Sequence, residues 1–198
     1  MRLRDARKDL YRRLAHEEGY SSRAAYKLTQ INSKYGIIRR GNCVIDFGAA
    51  PGGWLEVASK LVSTRGMVIG VDIVDIDPIA ENVNSIVGDI YETGLEESIL
   101  ELLGCRADVV LSDLSPNISG IWEMDHSVQI DMAMRVVNML PAILNVGGTS
   151  LLKAFDGPKL KSMENHLKQY FRDVKRVKPP ASRSASSEIY LLSRRYRA

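Results

Sequence analysis

Cysteine is nearly absent from this sequence. Cys43 and Cys105 are the only two in 198 residues, too few and too far apart for a disulfide framework or a thiolate metal cage. Both read as buried thiols of a protein in a reducing cytoplasm. Histidine is almost as sparse. His16, His126 and His166 share no ligand spacing, so no metal site is expected. No apolar run approaches the ~18 residues of a membrane helix. The charged stretch from Met1 to Lys8 has no apolar core of a secretory signal. Two nucleotide fingerprints are also missing. There is no G-x-G-x-x-G, and no Gly-Lys-Ser/Thr closes a glycine loop. Dinucleotide and P-loop chemistry are therefore disfavoured.

What is present is an ordinary globular composition, 45% hydrophobic and 26% charged. No internal repeat divides the chain. It reads as a basic segment at 1–20 followed by a single domain at 21–198. The net charge of +3 is modest, but its placement is uneven. Arg2, Arg4, Arg7, Lys8, Arg12 and Arg13 crowd the start. Arg172, Lys175, Arg176, Lys178 and Arg183 form a second block, and Arg194, Arg195 and Arg197 close the chain. Basic blocks around a near-neutral middle suit a polyanion partner.

The organising stretch is residues 43–54, which open as a strand and close as a helix. Cys43, Val44, Ile45 and Phe47 make a short apolar run of the parallel-sheet kind. Gly48 allows a sharp turn. Pro51 suits a first helical turn, and Gly52 and Gly53 would leave main chain open to a ligand. Asp46 ends the strand beside that opening. A carboxylate there repels pyrophosphate and favours a cationic ligand such as S-adenosyl-L-methionine. The next strand, Met67 to Asp72, puts Asp72 where an acid accepts from ribose hydroxyls. Asp89 follows a third strand, 83–87, within reach of an adenine amine.

Further strands are expected at 107–112, 149–155, 174–177 and 188–192. Helices are expected from Ser22 to Tyr35, 53–62, 96–103, 124–145 with a break or kink at Pro141, and 158–171. The alternation predicts one α/β sheet of about seven strands, helices on both faces, and an antiparallel hairpin at one edge. Lys153 stands out, because a lysine inside an apolar strand needs an opening or a partner. Lys27 beside an apolar helix stripe reads, by itself, as a surface lysine.

Five motifs together carry a resemblance: Ser22–Leu28, Asp46–Trp54, Ser112–Gly120, Leu151–Phe155 and Ser187–Tyr190. The chain resembles the FtsJ-type (RlmE-like) ribosomal RNA large-subunit 2′-O-ribose methyltransferases, almost throughout 21–192. The resemblance implies a Rossmann-like methyltransferase fold with an antiparallel last strand and S-adenosyl-L-methionine as cofactor. It implies a catalytic tetrad of Lys27, Asp113, Lys153 and Glu188. Cofactor contacts would fall on Gly52, Trp54, Asp72, Asp89 and Asp113, beside Asp46, Gly48 and Gly53 of the same turn. The expected substrate is a ribose, a uridine by expectation, in ribosomal RNA or the large ribosomal subunit. A tRNA anticodon loop is the alternative. The expected protein is a cytoplasmic monomer without membrane contact. An ordinary lysine holds its proton at pH 7, so Lys153 is read either as a base or as a group that orients the sugar oxygen.

Overall fold

The computed structural model describes residues 11–198 except 12, 16, 184 and 185. His16 and most of the first basic block (Arg2, Arg4, Arg7, Lys8 and Arg12) lie outside the described residues. The strands are β1 (Cys43–Phe47), β2 (Met67–Asp72), β3 (Val83–Val87), β4 (Ala107–Ser112), β5 (Leu144–Phe155), β6 (Phe171–Val177) and β7 (Glu188–Tyr196). The helices are α1 (Ala25–Tyr35), α2 (Gly53–Val62), α3 (Leu95–Leu103), α4 (Trp122–Ile143) and α5 (Leu160–Tyr170). One seven-stranded sheet runs β3-β2-β1-β4-β5-β7-β6. Only β7 is antiparallel to its neighbours; it enters between β5 and β6.

Side chains alternate across the sheet, and two apolar layers result. Ile45 and Phe47 pack toward α3, α4 and α5 with Ile99, Val136, Leu140 and Leu167. Val44, Leu151, Tyr190 and Leu192 pack toward α1 and α2 with Leu28, Ile31, Leu55 and Ala58. Both layers are closed to water, as the apolar strands required. By the same alternation Asp46 and Lys153 face the α1–α2 side.

Several expectations are corrected in detail. α1 begins at Ala25, later than expected, because the residues before it close a tighter turn, with the Ala25 amide on Ser22 O at 3.2 Å and the Tyr26 amide on Arg23 O at 3.3 Å. It ends at Gly36, which takes a left-handed φ of 60°. α4 is continuous through Pro141, which lies in its last turn, so the expected break is not seen. β5 starts at Leu144. Gly147 and Gly148 form an irregularity in its pairing with β4 instead of a turn that precedes the strand. β3 lies at 83–87 as expected and forms a half-exposed edge of the sheet. β7 extends to Tyr196, so Arg194 and Arg195 lie in the sheet and not in a tail. Cys105 is exposed and Cys43 half-buried, with 2.9 Å between their sulfurs. Burial pushes the Cys43 thiol up to about 12.

Candidate active site

The strand order reverses between β1 and β4, and such a switch point opens a crevice at the carboxyl ends of the strands. Two hydrogen bonds knit its floor: Gly48 N–H to Val71 O at 2.9 Å, and Asp113 N–H to Phe47 O at 3.1 Å. Gly48 is required here. Its φ is 76°, and a Cβ would lie 2.9 Å from the Leu114 nitrogen. Above it lies a cleft of about 340 Å³ whose walls include Gly48, Ala50, Asp72, Asp89, Asp113 and Met132. Asp72 is fixed at the tip of β2. One carboxylate oxygen accepts from Ala50 N–H at 2.9 Å and the other from Val74 N–H at 3.0 Å. Each oxygen keeps a lone pair for a ligand hydroxyl. Asp89 is exposed at the opposite wall, where Oδ1 accepts from Tyr91 N–H at 3.0 Å.

Asp46 lies beneath this cleft, fully buried. Neither of its oxygens has a hydrogen-bond partner among the described residues. Burial, then the nearby charges of Asp113 and Asp72, push its carboxyl well above the usual range. An orphaned buried carboxylate is costly without a cation or donor beside it. The acids Asp46, Asp72, Asp89 and Asp113 therefore fit a ligand that carries an ammonium, a sulfonium and ribose hydroxyls. S-adenosylmethionine has that set.

Three residues of the glycine turn sit differently from the expectation. Gly52 and Gly53 are not bare to a ligand. A Cβ at Gly52 would meet Ile79 at 2.7 Å, and one at Gly53 would meet the Ser22 hydroxyl at 2.4 Å. Their missing side chains admit protein, not ligand. The Trp54 ring is buried away from the cleft. Its indole N–H donates to Ala24 O at 2.8 Å and the ring packs on Tyr190. Only the main chain of these residues, at the start of α2, is left as a ligand contact. Pro51 precedes α2, after a cis Ala50–Pro51 bond, rather than opening it.

Lys27, Asp113, Lys153 and Glu188 come together from α1, the end of β4, β5 and the start of β7. Lys27 Nζ is 2.7 Å from Glu188 and 3.8 Å from Asp113. Lys153 Nζ donates to the Asp113 carbonyl at 2.7 Å and stands 3.4 Å from its carboxylate. Both lysines are nearly buried, at 7% and 5% exposure. Lys27 is thus no surface lysine, and Lys153 is on a central strand, not an edge. Burial would raise the Glu188 carboxyl, but Lys27 and Lys153 outweigh it and hold the group below the usual range.

Tyr190 escaped sequence reasoning as a site residue. Its hydroxyl accepts from Lys27 Nζ at 3.1 Å and donates to Asp113 Oδ1 at 2.7 Å. Burial and the two carboxylates push its own ionisation well above the usual range, so it stays a neutral relay. The available signal was the strand period, since Tyr190 follows Glu188 by two and shares its face. Ser182 was also missed; it donates to Glu188 at 3.1 Å. Among the described residues no cluster suits a metal ion.

The sequence profile of the FtsJ-like methyltransferases matches residues 20–196. The chain belongs to that family. Methyltransferase E of the ribosomal RNA large subunit from Methanothrix thermoacetophila is 46% identical over 188 residues, 95% of this chain and 72% of that one. A solved structure from Plasmodium falciparum, assigned to the ribosomal RNA methyltransferases, superposes with a TM-score of 0.81 at 28% identity, covering 89% of this chain and 98% of the other. Fibrillarin of Aeropyrum pernix, solved with natively bound S-adenosyl-L-methionine, shares the fold. Its TM-score is 0.62 at 18% identity, with 88% and 75% covered. As an FtsJ-like methyltransferase the chain has an acidic cleft and a lysine-rich pocket that meet at one residue, Asp113.

Proposed function

We propose that this FtsJ-like methyltransferase methylates a ribose 2′-hydroxyl, a uridine by our reading, in large-subunit ribosomal RNA. S-adenosyl-L-methionine would supply an electrophilic methyl group and leave as a neutral thioether. The observation that carries the reading is the convergence of two lysines and two carboxylates at the rim of the acidic cleft. On this reading Asp72 holds the ribose hydroxyls of the cofactor, Asp89 an exocyclic amine, and Asp46 offsets its positive charge. Asp113 faces both the cleft and the pocket, so it links donor and acceptor.

The chemical difficulty is the nucleophile, because a ribose hydroxyl is almost wholly protonated at neutral pH. Lys153 has three N–H donors: one is given to the Asp113 carbonyl, and a second is left beside the Asp113 carboxylate, 3.4 Å away. The third can fix the substrate oxygen with a lone pair toward the methyl. Orientation of that kind supplies up to ~7–11 kcal/mol of a barrier. Methyl transfer from a bound S-adenosylmethionine would make the hydroxyl proton acidic, and with both lysines held as cations that proton would leave to water. Lys27 is held by Glu188 and Tyr190 as a second fixed cation opposite the developing negative oxygen.

Lys153→Ala tests this directly. We expect cofactor affinity within twofold of wild type by calorimetry, with transfer of radiolabelled methyl to unmodified large-subunit RNA falling by at least about 10³. Retained transfer would end the assignment. Primer extension at low dNTP, in cells with and without the protein, locates the methylated ribose; a stop in tRNA instead would move the substrate. The reading carries with it a protein that acts as a monomer in the cytoplasm, with residues 1–20 on RNA phosphates.

A further inference from the structure

Trp122 opens α4 and is 41% exposed, and Ile118 and Ile121 before it are 63% and 59% exposed. This apolar ledge is held in place. The Asp125 carboxylate accepts from the Ser119 amide at 2.8 Å, the Ser119 hydroxyl at 2.7 Å and the Gly120 amide at 3.2 Å. Two buried rings support the indole. His126 and Phe155 lie nearly parallel to it, with centroids 5.7 and 5.9 Å away and planes inclined by 24° and 25°. His126 is itself fixed. Its Nε2 accepts from the Lys159 amide at 3.1 Å, and the ring rests on Gly157, where a Cβ would lie 2.7 Å from it.

Phe155 ties the ledge to the strand that carries Lys153. Phe155 is the register partner of Glu188 and stands two residues beyond Lys153, roughly 6.6 Å along the strand. An exposed, preorganised aromatic face beside a site for a single ribose has an obvious complement. Unpaired RNA bases stack on such rings, whatever their sequence. Lys159, exposed beside the ledge with its Nζ on Ser127, adds a cation for the same strand. We propose that Trp122 is a positioning residue on which a base adjacent to the methylated nucleotide stacks. This rests on the RNA reading above and adds the way the strand is held while one ribose enters the pocket.

The test uses the full chain and an unmodified large-subunit RNA transcript. The chain has two tryptophans, and Trp54 is buried. RNA should therefore quench the exposed indole, and the quench should vanish in Trp122→Phe. Trp122→Ala should raise KM for RNA about tenfold, the size of one stacked base, with kcat at saturating RNA and cofactor affinity within twofold to threefold. Trp122→Phe should restore KM, and Trp122→Leu should not. An unchanged KM in the alanine variant overturns the proposal, as does a fall confined to kcat. Full rescue by leucine would also overturn it, because an aliphatic side chain packs but offers no ring for a base to stack on. If the alanine variant does not fold, the phenylalanine and leucine pair decides alone. If wild type transfers no methyl to RNA, the function fails; the quench on RNA still decides the stacking.

Discussion

At the scale of single residues, the molecule carries one unusual liability, the unpartnered carboxylate of Asp46. Its folded-state pKa is raised, first by burial and then by Asp113 and Asp72. The linkage sign follows. The group opposes folding little below its unfolded pKa near ~3.9. The destabilisation grows as pH rises toward the elevated folded value. Asp46→Asn removes that ionisation. In the absence of cofactor the variant should melt several degrees above wild type at pH 8, with the gap closing toward pH 4. One kilocalorie is worth about 2–4 °C at this size. The same variant should lose most of the thermal shift that S-adenosylmethionine gives wild type. Equal shifts in both proteins would remove Asp46 from the cofactor's charge. Tyr190 supplies the second residue-scale prediction. Tyr190→Phe keeps the ring against Trp54 but breaks the link from Lys27 to Asp113. Stability in urea should fall by about 1–3 kcal/mol and methyl transfer at least tenfold, with cofactor affinity unchanged. A full-rate Phe variant would make the hydroxyl a bystander.

At the scale of elements, the strand–turn–helix of 43–54 shows why motif and role can part company. The string of glycines was legible, and so were the strand and helix around it. Which glycine faces ligand was not, because that depends on Ser22, Ile79 and Leu114, residues distant in sequence that a local pattern does not mention. Of the three glycines in this turn, Gly48 alone borders the cleft. Gly48→Ala should cost about 1–3 kcal/mol for its backbone conformation, with further loss from the approach to the Leu114 nitrogen, and should weaken cofactor binding. Gly94→Ala is the control. Its φ is 86°, yet nothing lies within 4 Å of its missing Cβ, so it should lose only ~1–2 kcal/mol and bind cofactor normally. Denaturant melts with and without cofactor separate the two. The same limit explains Lys27. Helical spacing placed it beside an apolar stripe, where a solvated head was the ordinary reading. Its burial depends on Glu188 arriving from the far end of the chain.

At the scale of the whole molecule, the question is where a polyanion can lie. Clustered cations were visible in the sequence, but sequence order hides which end of the sheet each one reaches. β7 runs antiparallel, so its start is at the pocket and its end is at the opposite edge. Arg194 pairs in register with Thr149, while Tyr190 pairs with Lys153. Four residues of strand put Arg194 roughly 14 Å from the catalytic level. Arg195 is already engaged with Asp173, and Arg197 with the carbonyls of Lys168 and Phe171. Arg183 belongs to the other group. It lies close enough to Arg23 to depress the latter's ionisation, after burial and against the pull of Glu188. Arg23 thus feels both Arg183 and the tetrad's Glu188, and a phosphate next to the reacting ribose would offset the repulsion between the two arginines. Each phosphate contact on a single strand contributes about 0.7 to the slope of log affinity against log salt. Arg183→Ala should lower that slope by about one such contact, whereas Arg194→Ala and Arg195→Ala should leave it unchanged. Filter binding to large-subunit RNA from 50 to 300 mM salt, roughly the range over which counterion release is resolved, measures all three. Equal slopes for Arg183→Ala and wild type would put the strand elsewhere, and a reduced slope for Arg195→Ala would place RNA across the far edge of the sheet.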